Sequence, residues 1–563
     1  MNVFKKISPY AFLLLIVSVV SCNEVEKRPS DLYSIEVSKD RIVFDHHGGT
    51  ATIYVTTNAQ WEINTNSTWI SFEPTARRNE RAENVTITIT APPYDVFNHT
   101  RNAEISIRSG DLATDFTVRR FISIAQIGEE FVANEPGIWT VSDFIQFAEE
   151  VNNNVTPDFS RWQDEDGVIN LMSDINFGSI PIPVVGGDSD ANGMDPTIVS
   201  QRGFNAIFDG NGHTIRGTLD NTLDGAPRRM VALFARLHPE GVIRNLTVDV
   251  IAENNFGAGG AHLAAIVGFS LTATTGYIEN VTSKGTLTST AGNRVGGIIA
   301  FQRTNVTNAT NYADIIALAA NRVGGISGAT NQPVSIINSV NHGNITTAVA
   351  GTQAGGIVGQ ANPVTMIGTQ NFGNITGRAS GATVIGGLIG NAQGASAIGR
   401  SDGEPNINHG NIILMPVAEG GTAPTAASGA GGISGGVSAA VPFVNNINNG
   451  NVTSNVDHAN VAVGGIIGHM SALAPLTNCV NAATAVITSA ANAGGLIGRT
   501  TAANVLTNCT NAGTVNRLAA ATVAPSHFGS MVGNGATVTF VTSTFGGTVL
   551  GAPGTEANAI GTP

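Results

Sequence analysis

Gly355-Gly356-Ile357-Val358-Gly359 followed by Asn371-Phe372-Gly373 decides the fold of this chain, because both phrases recur. The first returns as Gly296-Gly297-Ile298-Ile299-Ala300, Gly324-Gly325-Ile326, Gly386-Gly387-Leu388-Ile389-Gly390, Gly431-Gly432-Ile433, Gly464-Gly465-Ile466-Ile467-Gly468 and Gly494-Gly495-Leu496-Ile497-Gly498. From Gly297 to Gly495 the second glycines are separated by 28, 31, 31, 45, 33 and 30 residues. Degenerate copies at Val231-Ala232-Leu233-Phe234 and Ala264-Ala265-Ile266-Val267, and a last one at Gly529-Ser530-Met531-Val532, bring the count to about ten units. A period near thirty residues marks a solenoid, in which each unit buries its apolar face only against its neighbours.

Aligned on the second phrase, Asn245, Asn280, Asn308, Asn338, Asn445, Asn478 and Asn508 fall in one column. Asn311, Asn341, Asn371, Asn408, Asn448, Asn481 and Asn511 fall in another. Stacked amides bond coil to coil, and asparagine tolerates left-handed backbone angles. The glycine of Asn-x-Gly is expected to supply positive φ, the glycine pairs to let the coil close on a narrow interior, and each coil to hold three short strands.

Charge divides the chain near residue 290. Residues 1–290 carry a net charge of −14, and residues 291–563 carry +1 with only 13 charged residues and no lysine. An acidic front half and a near-neutral repeat region offer no field for phosphate, which argues against nucleic acid as a partner.

The first 21 residues read as a targeting segment: Lys5 and Lys6, the apolar stretch Ala11 to Val20, then Val19-Val20-Ser21-Cys22. This resembles a bacterial lipoprotein signal, which implies that Cys22 is lipidated, with residues 22–32 as a tether carrying Glu24 and Glu26. The resemblance implies an outer-membrane, lipid-anchored protein exposed at the cell surface.

Residues 33–129 alternate apolar and polar side chains in short runs and read as a β-sandwich. Trp61-Glu62-Ile63, Trp69-Ile70-Ser71-Phe72, the strand Asn84 to Ile89, Arg101-Asn102-Ala103-Glu104-Ile105 and Ala125-Gln126-Ile127-Gly128 resemble a BACON domain. That family is common in Bacteroidetes surface proteins, as a glycan-binding module or a spacer. Alternation points both tryptophans into the core. Residues 130–137 are a linker, and residues 138–155 a helix opening at Thr140-Val141-Ser142-Asp143 and suited to cover the first coil of repeats spanning 156–563. Phe208-Asp209-Gly210-Asn211-Gly212-His213-Thr214-Ile215 resembles the opening coils of GLUG-repeat, pectate-lyase-like β-helices, a resemblance covering about residues 138–550. The expected fold is therefore all-β: an Ig-like β-sandwich followed by a right-handed parallel β-helix capped by one N-terminal α-helix.

Chemistry is sparse. His342 and His409 share a column but lie two coils apart, about 9 to 10 Å by strand stacking, too far to share one zinc ion. Cys479 and Cys509 lie one coil apart and read as stacked thiols, with a disulfide geometrically open to them. Asp188, Asp190 and Asn192 have the oxygen spacing of a calcium loop, but Val199 stands where an EF-hand places glutamate; calcium is the one candidate cofactor. Acids are scattered, and only a group around Asp174, Asp188, Asp209, Asp220 and Arg228-Arg229 could assemble a site. No catalytic residue is assigned. The remaining surface candidate is the column Tyr312, His342, Phe372 and His409, a stripe of rings suited to stacking on sugars or, more simply, to stabilising coils. The reading favours a non-catalytic surface protein for adhesion or glycan binding, with glycans, a host surface or mucin as partners and the membrane reached through the anchor. The rivals are a polysaccharide lyase or glycoside hydrolase of the β-helix type, and a structural spacer.

Overall fold

The computed structural model describes residues 28–74, 81–94, 96, 100–128, 136–154, 156–186, 203–223, 226–257, 260–416, 423–425, 428–519, 521–522, 527–535 and 537–561. Cys22 and the loop residues Asp188, Asp190 and Asn192 lie outside them. Two units are present, the first built from residues up to Glu129 and the second essentially from Glu130 onward.

The first unit is a sandwich of two four-stranded sheets. One runs in the order Ile35–Val37, Gly49–Thr57, Ala82–Ala91, Ser71–Glu73, all antiparallel; the other runs Arg41–Phe44, Phe116–Ile127, Thr100–Asp111, Trp61–Thr65. Alternation places Ile53, Val55, Ile87, Ile89, Ile105 and Ile107 in the shared core, where Trp61 is fully buried. Trp69 is only partly buried against that core, and the Arg101 guanidinium sits 4.2 Å from its ring centroid.

The second unit is a right-handed parallel β-helix of ten coils. In the coil around Gly356 five strands follow one another: Gln353–Gly355, Val358–Ala361, Thr365–Ile367, Gln370–Asn371 and Ile375–Arg378. Five replace the expected three because the glycine pair folds the chain between two strands, and the asparagine turns divide the other side of the coil into three. The first two strands of successive coils build two ten-stranded parallel sheets, and the other three join one continuous sheet. The apolar residue after each glycine pair, such as Ile326, Ile357, Leu388 and Ile466, points into the core and is wholly buried.

The two phrases of the repeat meet inside the coil. A Cβ on Gly356 would lie 2.2 Å from the Gly387 carbonyl oxygen and 2.3 Å from Cγ of Asn371, so only glycine fits opposite the asparagine. The second asparagine column is a buried amide row: Asn341 Nδ2 donates to Asn371 Oδ1 (2.7 Å) and to the Gly343 carbonyl (2.8 Å), and Asn371 Nδ2 donates to Asn408 Oδ1 (2.9 Å) and the Gly373 carbonyl (2.8 Å). The row runs from Ser283, whose Oγ donates to Asn311, to Asn511, whose Nδ2 ends on the Ser530 carbonyl at 2.8 Å. Every amide is thus partnered while wholly buried, where a missing partner costs about 1–3 kcal/mol.

Positive φ is carried by the first asparagine column rather than by the Asn-x-Gly glycine: Asn308, Asn338, Asn478 and Asn508 have φ between 49° and 53°. Gly373 is required instead by contact, since its Cβ would lie 2.0 Å from the Gly343 carbonyl oxygen. The first-column amides also chain together. Asn308 donates to Asn280 (3.0 Å), Asn280 to Asn245 (3.1 Å), and Asn245 to the Asp209 carboxylate (3.0 Å), an obligate acceptor that fixes the direction of the row.

The helix Val141–Asn153 closes the first coil. Its N-cap Thr140 accepts from the Asp143 amide while the Asp143 carboxylate accepts from the Thr140 amide, a reciprocal capping box. Phe144 and Phe147, one turn apart, pack against Phe177 and against Phe204 and Phe208 respectively. At the far end the short helix Glu556–Asn558 covers the last coil, the Ser530 amide donating to the Asn558 carbonyl. Both ends of the stacked sheets are therefore covered. Among the described residues no helix is long and apolar enough to cross a membrane.

Candidate functional site

Tyr312, His342, Phe372 and His409 stand in one outward row at the asparagine turn. Their ring centroids are 4.6, 4.9 and 4.4 Å apart and their planes lie within 10° of parallel. The one-coil spacing produces this geometry, since strand stacking at about 4.8 Å is close to the thickness of a ring pair. Stacking has a consequence for binding. The faces that a sugar would use are turned onto one another, and the row offers solvent its edges. Burial in the stack lowers the pKa of His342 and His409, which keeps both rings neutral at pH 7.

The candidate acids answer to different partners. Asp209 is held by Arg244 Nε (2.7 Å), Asn245 and the Asn211 amide. Asp174 accepts from the Thr214 amide beside His213, and Asp220 faces Arg228 at 3.4 Å and accepts from Thr222. Each carboxylate fixes a turn or a coil junction. Cys479 and Cys509 are buried free thiols that donate to carbonyls of their own and the preceding coil, and burial pushes the Cys479 thiol up. Among the described residues no group of three or more His, Cys, Asp or Glu could hold a metal ion.

A different line of side chains has the character of a site. The two ten-stranded sheets meet at the glycine pairs, and two rows of residues turned away from the main core, more than half of them buried, face each other along the seam. One row is Met230, His262, Arg294, Arg322, Gln353, Val384, Gly429, Ala462, Asn492 and His527, in strict cross-strand register. The other runs from Arg236 through Phe269, Phe301, Ala329, Gln360, Asn391, Gly436, His469 and Arg499 to Asn534. The rows touch: Arg294 Cζ lies 3.9 Å from the Phe301 centroid, Arg322 bonds Gln360, and Asn534 Nδ2 donates to Asn492 Oδ1 at 3.2 Å. Where Gly429 and Gly436 remove the side chains, a cavity of about 110 Å³ opens between Gln353, Asn391, Val384 and His469. Burial, then the Arg499 charge, brings the His469 pKa down to about 4.

The asparagine columns do not mark this seam. Its signal lies elsewhere in the repeat, two residues before the first glycine of each pair and four after the second, where long polar side chains interrupt an otherwise small-residue register.

No family model matches the chain. A 120-residue stretch is 32% identical to halomucin from Haloquadratum walsbyi, covering 21% of this chain and 1% of the length of that protein. Among solved structures, a Bacteroides ovatus protein described as a candidate immunoglobulin A1 protease is 14% identical over 66% of this chain and 77% of its own, with a TM-score of 0.27. A Bacteroides ovatus GH5 xyloglucanase in complex with a XXXG heptasaccharide is 23% identical over 19% of this chain and 21% of its own, with a TM-score of 0.15. Scores of this size carry no functional argument.

Proposed function

We propose that this is a lipid-anchored cell-surface protein that binds glycan chains without cleaving them, an extended chain lying along the seam of the β-helix. The observation that carries the reading is the seam itself: partly exposed Gln360 and Asn391 are register neighbours in adjacent coils, Gln353 faces them across the seam and Arg499 follows three coils on, beside an open cavity. Amides one coil apart, at about 4.8 Å, with a guanidinium further along the same line, suit the hydroxyls of a polymer better than a small molecule. A cavity of about 110 Å³ admits one substituent projecting from a chain, well below the several hundred Å³ of an ordinary small-molecule pocket. Support for the anchor comes from the Lys5-Lys6, apolar, Ser21-Cys22 sequence, and support for a Bacteroidetes surface setting from the BACON-like strings in residues 33–129.

The test is a glycan array probed with the mature chain, alongside assays for reducing ends and unsaturated sugars. Retention of one or more polysaccharides without product is expected, and substitution of Gln360 and Asn391 by alanine should weaken it. Product release would overturn the non-catalytic reading, and a folded protein that retains no glycan would overturn the binding reading.

A further inference from the structure

The N-terminal third of the seam differs from the rest in charge. Arg294 and Arg322 are direct register neighbours in adjacent coils, and Arg303 reaches over the rings of Phe269 and Phe301, 5.0 and 5.2 Å from their centroids. Phe269 and Phe301 lie 5.4 Å apart, and the buried His262 ring is 5.8 Å from Phe301. Two guanidinium groups thus lie on one aromatic floor, and a third, that of Arg322, stands in register beside Arg294 in the next coil.

Nothing described neutralises them. Arg303 Nε donates to Asn331 (2.8 Å), and Arg322 donates to Asn293 (2.6 Å), Asn321 (3.1 Å) and Gln360, all neutral amides. The Arg294 side chain makes no hydrogen bond among the described residues, and its Nε is buried. Several arginines elsewhere in this chain meet carboxylates: Arg244 meets Asp209, Arg216 meets Asp249, Arg108 meets Glu62 and Asp115, and Arg400 meets Asp402. The sequence sharpens the contrast. Between Glu279 and Asp402 the one acid is Asp314, and its carboxylate accepts from the Asn344 amide at the head of an exposed asparagine row.

Burial, followed by the charges of Arg322 and Arg303, brings the Arg294 pKa down to about 10. The buried His262 ring is likewise held neutral by desolvation and by the charges of Arg294, Arg229 and Arg236. Crowded, desolvated like charges destabilise the empty protein, and an anion entering the cluster relieves both the repulsion and the missing hydrogen bonds. A guanidinium offers paired donors that match a carboxylate or a sulfate.

We propose that Arg294 and Arg303, on the floor of Phe269 and Phe301, together with Arg322 beside them, are the anion subsite of the seam and select polysaccharides bearing carboxylate or sulfate groups. This rests on the glycan-binding reading above and adds the class of glycan to it. The net charge of only +1 over residues 291–563, behind an acidic front half, favours a local site of this kind over a polyanion tracked along the whole helix.

The experiment is calorimetric titration of the mature chain with polygalacturonate, with dextran sulfate and with a panel of neutral polysaccharides, repeated on R294Q/R303Q/R322Q. Binding of at least one acidic polymer, weakening as salt rises, is expected, with a loss of tenfold or more in the triple variant and no change for any neutral polymer bound. The two acidic polymers separate a carboxylate from a sulfate preference. Should the variant fail to fold, polygalacturonate or dextran sulfate added to the unmodified protein at low concentration is expected to raise its melting temperature more than uncharged dextran at equal mass. An equal effect of the charged and uncharged polymers would overturn the proposal, as would undiminished acidic binding in a folded variant. Binding of neutral polymers alone would overturn it while leaving the glycan reading intact, and binding of none would overturn both.

Discussion

The interior asparagine row and the arginine end of the seam are both lines of polar side chains set in register by the same repeat, yet they differ in how their hydrogen bonds close. Asn341, Asn371 and Asn408 each donate to a neighbour's amide and to a carbonyl of their own coil, and all are wholly buried. Arg294 has a phenyl ring on one side and no partner for its Nε. A polar row that satisfies itself holds an architecture together; a polar row left open is where a second molecule can complete the bonding. In this molecule the two lie one glycine pair apart.

The largest expected effect is steric and falls on the first row. Gly356→Val would drive a side chain into the Gly387 carbonyl and the Asn371 amide, and should destabilise the β-helix by more than about 3 kcal/mol in chemical denaturation. Asn371→Leu comes next. It leaves the Gly373 carbonyl and the Asn408 acceptor unpaired, and a loss of about 3 kcal/mol is expected, read by the same method, because each buried orphan costs about 1–3 kcal/mol. If either variant melted like the parent, the amide row would not be what holds the coils.

Replacing Tyr312, His342, Phe372 and His409 together by alanine removes three stacked contacts, at roughly 0.5–1.5 kcal/mol each. Stability should fall by about 2 kcal/mol while glycan binding is retained, since the ring faces already cover one another. Loss of binding in a folded variant would move the site from the seam to the rings.

The smallest effect is a pH dependence. His342, His409 and His469 have folded-state pKa values below their ordinary value, chiefly through burial, with His469 at about 4. Below about pH 6.5 the unfolded chain therefore binds more protons than the folded one. Stability should be level above that pH and decline as pH falls toward 4, in a melting series, and the decline should shrink in H342N/H409N/H469N.

Much of the architecture was legible in the chain. Glycine pairs, asparagine columns and a period near thirty fix a parallel coil, and Thr140 with Phe144 and Phe147 fix its cap, because these are local rules with one geometric solution. The contact between Gly356 and Asn371 was not legible, since two residues 15 positions apart become partners only when the coil closes. Placement of positive φ failed for a related reason. Either asparagine or glycine can take that conformation, and the choice at Asn338 rather than Gly343 depends on the coil beneath. The seam stayed hidden because His262, Arg294, Phe301 and Gln360 share no residue type; register unites them, and register needs the structure.

The contrast between a closed and an open polar row is tested most directly by the thermal unfolding of Arg294→Met in the absence of any glycan. Methionine keeps a contact with Phe301 and removes a desolvated charge, so the account predicts a melting temperature equal to or above that of the parent, together with weaker binding of acidic polysaccharide. A fall in melting temperature as large as that of Asn371→Leu would contradict it, and would place Arg294 among the residues that hold the coils together.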